Sequence, residues 1–196
     1  MDEPSATPLF IPVILGSVRK NRRSLRPAQL LAERVAAAGY ETILLDLKDM
    51  ALPMYDEEDA SESHPSVRAL RDVLGRSDAS VWLSPEYNHS FTSAIKNALD
   101  YVDEELRRKP VAGAGLARAA MGGVRAVEQL KLVLIELHAL PIRDSVYFSD
   151  ARSLFDADGR LLRPEFIRRI DLMVSELGWY SKALRWGRSH LRLPDR

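Results

Sequence analysis

The sequence predicts an α/β fold, a mostly parallel sheet with helices on both faces. Three observations carry that prediction. Short apolar runs recur five times, helical stretches fall between them, and 196 residues suit one core better than two. Such alternation builds βαβ units, and the right-handed crossover rule leaves few ways to order the strands.

The elements follow in order. The first eight residues, MDEPSATP, read as a disordered tail, leaving 9–196 as a single domain. Leu9–Leu15 is an apolar run ending at Gly16, the pattern of a strand buried on both faces, although Pro12 removes a ladder hydrogen bond. Residues 25–38 place Leu30, Leu31, Val35 and Ala38 at helical spacing, with Gly39 as the stop. Ile43–Leu47 is the second strand. The stretch after it holds Pro, Ser and an acidic cluster, Asp56–Asp59, and reads as a solvated loop. Pro65–Leu74 is a short helix and Ala79–Leu83 the third strand, which runs into SPEYNHS. Ser93–Val102 is a helix, Pro110–Gly115 the fourth strand, Val124–Leu140 an apolar helix and Pro141–Phe148 the fifth strand. Arg163–Trp186 closes the chain as a helix with Pro164 in its first turn and a stripe of Phe166, Ile170, Met173, Leu177 and Leu184.

Composition excludes several functions. Lys+Arg and Asp+Glu are both 28, so the chain lacks the basic surplus that bulk nucleic-acid binding needs. There is no Cys, hence no disulfide, thiolate nucleophile, Cys-ligated zinc or iron–sulfur cluster. The four histidines, at 64, 89, 138 and 190, show no metal-binding spacing, and no metal site is expected. FDADG at Phe155–Gly159 resembles a calcium loop, but Arg160 falls on a ligand position, so it reads as a turn. No apolar run is long enough to span a membrane and the start is unlike a signal peptide, so a cytoplasmic protein is expected.

In an open parallel sheet, ligands bind beyond the C-terminal strand ends, where strand order reverses. Two of these loops stand out. Gly16–Arg26 (GSVRKNRRSLR) offers a turn at Gly16, hydroxyls at Ser17 and Ser24, and five cations within eight residues, at Arg19, Lys20, Arg22, Arg23 and Arg26. It opens a helix whose first N–H groups are unpaired, a setting for a phosphate monoester. The competing reading is a solvated basic loop or a docking patch. Ser84–Ser90 (SPEYNHS) follows the third strand with Pro85, the ring of Tyr87 and the amide of Asn88, a setting for a flat heteroaromatic ligand. The competing reading there is a rigid turn with Asn88 or Ser90 capping the next helix. No P-loop is present, and the GxG at Gly113 and Gly115 lacks the third glycine of a dinucleotide loop. In a flavodoxin-like three-layer sandwich, a five-stranded parallel sheet in 2-1-3-4-5 order, strands one and three flank the switch point, so the two loops describe one FMN-type mononucleotide site. His89 beside it reads as a surface or capping residue before a catalytic one.

GSVRKNRRS and SPEYNHSFTSAIKNALDYV together resemble the NADPH-dependent FMN reductase family, whose members include quinone, azo-dye and chromate reductases. The resemblance runs through GGVRAVEQLKLVLIEL to the last helix, and PEYN…KNALD is its most specific part. It implies that Ser17, Arg19, Arg22 and Ser24 bind the FMN phosphate, and that Pro85, Glu86, Tyr87 and Asn88 line the isoalloxazine. It further implies NADPH or NADH as reductant, a quinone-like or other small acceptor, no catalytic acid–base side chain, and a homodimer or homotetramer. The chain departs from the family pattern after strand four. There GAGLARAAMGG places Leu116, Arg118 and Met121 where a Ser/Gly-rich stretch is usual. Two other classes stay open on the residues alone: an FMN electron carrier or redox sensor, and an interaction module without flavin.

Overall fold

Burial alternates along the central strands, and that alternation sorts the helices into two layers. The structure, a computed structural model, describes residues 7–56 and 64–192. Its strands are β1 (Val13–Leu15), β2 (Leu44–Asp46), β3 (Ser80–Pro85), β4 (Pro110–Leu116), β5 (Leu140–Pro141) and β6 (Val146–Phe148). Its helices are α1 (Leu25–Ala37), α2 (Leu47–Met50), α3 (Pro65–Arg76), α4 (Ser93–Asp100), α5 (Val124–Glu136) and α6 (Glu165–His190). Val13, Leu15, Val81, Leu83, Ala112 and Ala114 face one core with α1 and α6. Ile14, Trp82 and Val111 point to the other face, against α3, α4 and α5. This period of two is what a strand covered on both faces requires.

All strand pairings in the sheet are parallel, in the order β2-β1-β3-β4-β5, with β6 also on β4. This is the flavodoxin-like order, with the switch point between β1 and β3.

The expected fifth strand, Pro141–Phe148, is two strands. Val111 pairs with Pro141, yet Ala114 pairs with Val146, so the two residues of β4 between these pairs face four of the neighbour. Two extra residues must leave the ladder, and the break falls at 142–145. The first strand is also shorter than Leu9–Leu15. Pro12 accepts from Val81 N–H but has no N–H to return, and regular pairing starts only at Val13.

Leu47 begins α2 rather than ending β2, because Asp46 caps that helix through Lys48 N–H at 3.0 Å. Helix α5 stops at Glu136, before Leu140, which pairs with Pro110. Helix α6 instead continues past Trp186 to His190. It is tied to α1 by a two-bond Arg34–Asp171 pair and to the start of β3 by Arg185 on buried Asp78. Of the expected tail, residues 1–6 lie outside the described residues, whereas the carbonyls of Thr7 and Pro8 accept from Arg185. Of the acidic cluster only Asp56 is described, and it is exposed. Among the described residues no helix is long and apolar enough to cross a membrane.

Candidate functional site

The loops beyond β1, β3, β4 and β6 surround one open cavity of about 500 Å³ at the C-terminal edge of the sheet. Its walls are Ser17, Arg19 and Asn21–Ser24 after β1, Pro85–Tyr87 after β3, Leu116–Ala119 after β4, and Ala151 and Arg152 after β6. The topology places it at the switch point, where unpaired strand ends and a helix N-terminus converge.

The first wall is set by packing rather than by turn geometry. Gly16 is the point where α4 comes closest, since a Cβ there would meet Ile95 Cδ1 at 2.2 Å. Thr92, the buried N-cap of α4, accepts from Ile95 N–H and donates to the Gly16 carbonyl at 2.6 Å. The capping role expected of Asn88 or Ser90 therefore belongs to Thr92. Beyond Gly16, buried Ser17 meets Tyr87 Oη at 3.1 Å, which fastens the two loops together. Arg22 donates to the Ser17 carbonyl at 2.9 Å and pairs with Asp46, at the end of β2.

Ser24 occupies the N-cap position of α1 without acting as a side-chain cap. Its Oγ is buried and has no partner, although the residue lines the cavity. A buried hydroxyl left unsatisfied costs about 1–3 kcal/mol, so the site holds an unmet polar demand. No acidic residue occupies the first turn of α1 to answer its dipole. Arg19 stands 5.5 Å from the Tyr87 ring centroid, and Arg23 donates to the Arg152 carbonyl at 3.3 Å. Hydroxyl, helix terminus and guanidinium groups on one wall form a donor set for an oxyanion.

On the second wall Pro85 is buried, and Glu86 N–H donates to the Leu116 carbonyl at 2.9 Å. The Glu86 side chain, 7% exposed, pairs with Arg125 of α5 through one oxygen, while its Oε2 is buried without a partner. Tyr87 and Ser90 exchange backbone bonds across a two-residue turn in which Asn88 and His89 both have positive φ, 49° and 67°. That is the tight-hairpin geometry which asparagine tolerates best among residues other than glycine. Asn88 is thus exposed at the turn tip and outside the cavity lining, unlike the other seven residues singled out from the sequence. His89 is exposed too, and its carbonyl accepts from Gln129 of α5.

The third wall explains the glycines after β4. A Cβ on Gly115 would lie 2.7 Å from the carbonyl oxygens of Gly122 and Gly123, both of which have positive φ. The loop folds back flush against its own strand, which is why a GxG stands there without the rest of a dinucleotide motif. Of the three bulky residues in this region, Leu116 is buried in the core where it borders the cavity, and Met121 is exposed outside the lining. Arg118 does line the cavity. The lining residues that the sequence did not single out are Asn21, Ala117, Ala119, Ala151 and Arg152. The β6 loop carries no local motif and enters the wall through Ala151 N–H on the Ala117 carbonyl at 3.0 Å. FDADG is a turn, closed by Arg160 N–H on Asp156 Oδ1. Among the described residues no cluster of metal-ligating side chains is present.

Comparison with known proteins agrees with this geometry. The chain is 30% identical over 159 residues to a quinone reductase of Pseudomonas putida, covering 77% of this chain and 83% of that protein. It is 30% identical over 148 residues to an NAD(P)H-dependent FMN reductase of Pseudomonas aeruginosa, covering 72% and 80%. In three dimensions it is similar to FerB, a flavoenzyme NAD(P)H:acceptor oxidoreductase of Paracoccus denitrificans, with a TM-score of 0.77 and 25% identity over 89% of this chain and 98% of that one. Residues 10–153 match a family as a whole, and on that match the chain belongs to the NADPH-dependent FMN reductases.

Proposed function

We propose that this protein uses FMN to oxidise NAD(P)H and reduce a quinone-like or other small acceptor. The observation that carries the reading is Ser24. An unpartnered buried hydroxyl at a helix N-terminus, in a cavity rimmed by arginines, is the donor set of a phosphate cradle. The cavity, about 500 Å³, lies in the size range of small-ligand sites. FMN, when bound, supplies the redox chemistry, taking a hydride from the nicotinamide and delivering electrons to the acceptor.

The chain's own residues bind and orient. Ser17, Ser24 and Arg19 provide donors for the phosphate, and Arg22 acts as a positioning residue by joining the Ser17 carbonyl to Asp46. Pro85, Glu86 and Tyr87 form the ring wall, and Asn88 shapes the turn that presents it. Arg118 and Arg152 make no ion pair among the described residues and line the wall shared by the β4 and β6 loops. Their charge favours a reductant with an additional phosphate, NADPH over NADH. The reading also includes a cytoplasmic location and assembly as a homodimer or homotetramer.

The test is the visible absorbance of protein supplemented with FMN and freed of excess. Retained flavin that NADPH bleaches anaerobically and a quinone restores is the expected result. A protein that retains no flavin refutes the proposal, and one whose flavin NADPH leaves untouched is a carrier instead.

A further inference from the structure

Tyr87 belongs to the ring wall of the cavity, yet its side chain ends on the phosphate wall. Its hydroxyl lies 3.1 Å from Ser17 Oγ, across 70 residues of sequence. The Arg19 guanidinium stands over the same ring, 5.5 Å from its centroid. Two of the groups assigned to the phosphate therefore touch one residue of the ring wall. Both ends of this contact are anchored. Thr92 holds the Gly16 carbonyl and Arg22 the Ser17 carbonyl, so the buried Ser17 hydroxyl has a set position. At the other end, the Tyr87 backbone is fixed by its exchange of bonds with Ser90.

The chemistry of the two hydroxyls gives their bond a direction. Between themselves either oxygen can donate. A phosphate oxygen only accepts, so Ser17 facing one must give it its single proton. Ser17 Oγ is then left with lone pairs alone for Tyr87, whose O–H becomes the donor. The result is a chain from the Tyr87 hydroxyl through Ser17 to the phosphate, in which each bond polarises and strengthens the next. A phenol held at its tip presents an ordered wall to a flat ring, which lowers the entropy cost of binding that ring.

We propose that Tyr87, acting through Ser17, couples the two halves of the site, so that phosphate on the β1 loop raises affinity for the isoalloxazine at the β3 loop. The site then selects FMN over riboflavin by more than the phosphate's own contacts. Linkage makes the effect reciprocal, the ring raising phosphate affinity by the same factor. This inference rests on the FMN reading above.

The test uses the full chain freed of flavin, with riboflavin and inorganic phosphate as separate probes. Riboflavin is titrated by its fluorescence in saturating phosphate and in chloride of equal ionic strength, which removes general screening from the comparison. In the wild type, phosphate lowers the Kd for riboflavin about fivefold or more. In Tyr87→Phe, which keeps the ring beneath Arg19, the two Kd values coincide, while phosphate still raises Tm through Ser24 and Arg19. Ser17→Ala, which removes the other end of the bond, equalises the two values as well and serves if the Phe variant fails to fold by circular dichroism. A merely structural Tyr87 would weaken riboflavin equally in both buffers and keep their ratio. The inference is overturned by that result, by a Tyr87→Phe protein that no longer binds phosphate, or by a wild type that binds FMN but whose riboflavin affinity phosphate leaves unchanged. A chain that binds neither FMN nor riboflavin overturns the FMN reading itself, and this inference with it.

Discussion

Replacing Ser24 by alanine separates two readings that otherwise look alike. A serine before a helix normally stabilises it, and its loss costs about 1 kcal/mol through the missing cap bond. Here that bond is absent, and Oγ is buried without any partner. Removing the hydroxyl therefore relieves a desolvation penalty, so the protein without flavin gains about 1 kcal/mol at the low end of the range for an unsatisfied group. For a chain of this size that raises Tm by about 2–4 °C. With FMN present the sign reverses. One hydrogen bond to a charged phosphate is worth about 1.5–3 kcal/mol, so the Kd for FMN rises about 10- to 100-fold. The assay is thermal unfolding of flavin-free wild type and Ser24→Ala protein, repeated across an FMN titration. The two melting curves start in one order and cross as ligand is added. A variant less stable without flavin and unchanged in FMN affinity would show that Ser24 is an ordinary cap, and the phosphate assignment would fail.

Three more outcomes follow from the geometry. Arg125→Ala strands the buried Glu86 carboxylate and costs about 2 kcal/mol, discounted because Arg125 is 40% exposed; urea unfolding should show Glu86→Gln recovering most of the loss in the same background. Gly115→Ala drives a methyl into the backbone of Gly122 and Gly123. It should cost about 1–3 kcal/mol and weaken FMN retention, and unchanged retention would mean that the β4 loop does not shape the site. Lys109, buried beneath the last turn of α3, donates to the Leu74 and Gly75 carbonyls at 2.8 and 2.6 Å. Burial, with Arg188 nearby, pushes its ammonium from 10.5 down to about 8. Between those values the unfolded chain binds the proton that the folded chain has released, so stability rises with pH across the window by up to about 3 kcal/mol. Lys109→Met removes that rise, and parallel stability curves for the two proteins from pH 8 to 10 would refute the assignment.

The site was legible where chemistry is local in sequence. Serines and arginines crowd behind β1, and the SPEYN run stands behind β3, so both loops declare themselves. What Arg22 does was not legible, because its partner Asp46 is 24 residues away. Nor was the retreat of Asn88 to the turn tip, which follows from the backbone pairing of Tyr87 with Ser90. Nor was the role of Thr92, which caps α4 and ties it to Gly16, 76 residues away. Arg152 and Ala151 carried no signal at all, since the β6 loop joins the wall through its backbone, Ala151 N–H on the Ala117 carbonyl and the Arg152 carbonyl accepting from Arg23, both far away in sequence.

By itself the sequence determined the layering, the parallel sheet, its order and the two loops that meet at the switch point. Those follow from short-range periodicity and from the handedness of crossovers, which act residue by residue along the chain. Only the tertiary structure decided the break between β5 and β6, the third wall of the cavity, and which of the cations around that cavity are held in ion pairs. Each of those depends on groups far apart in sequence competing for the same hydrogen bonds and the same space, and that competition is settled only when the chain has closed on itself.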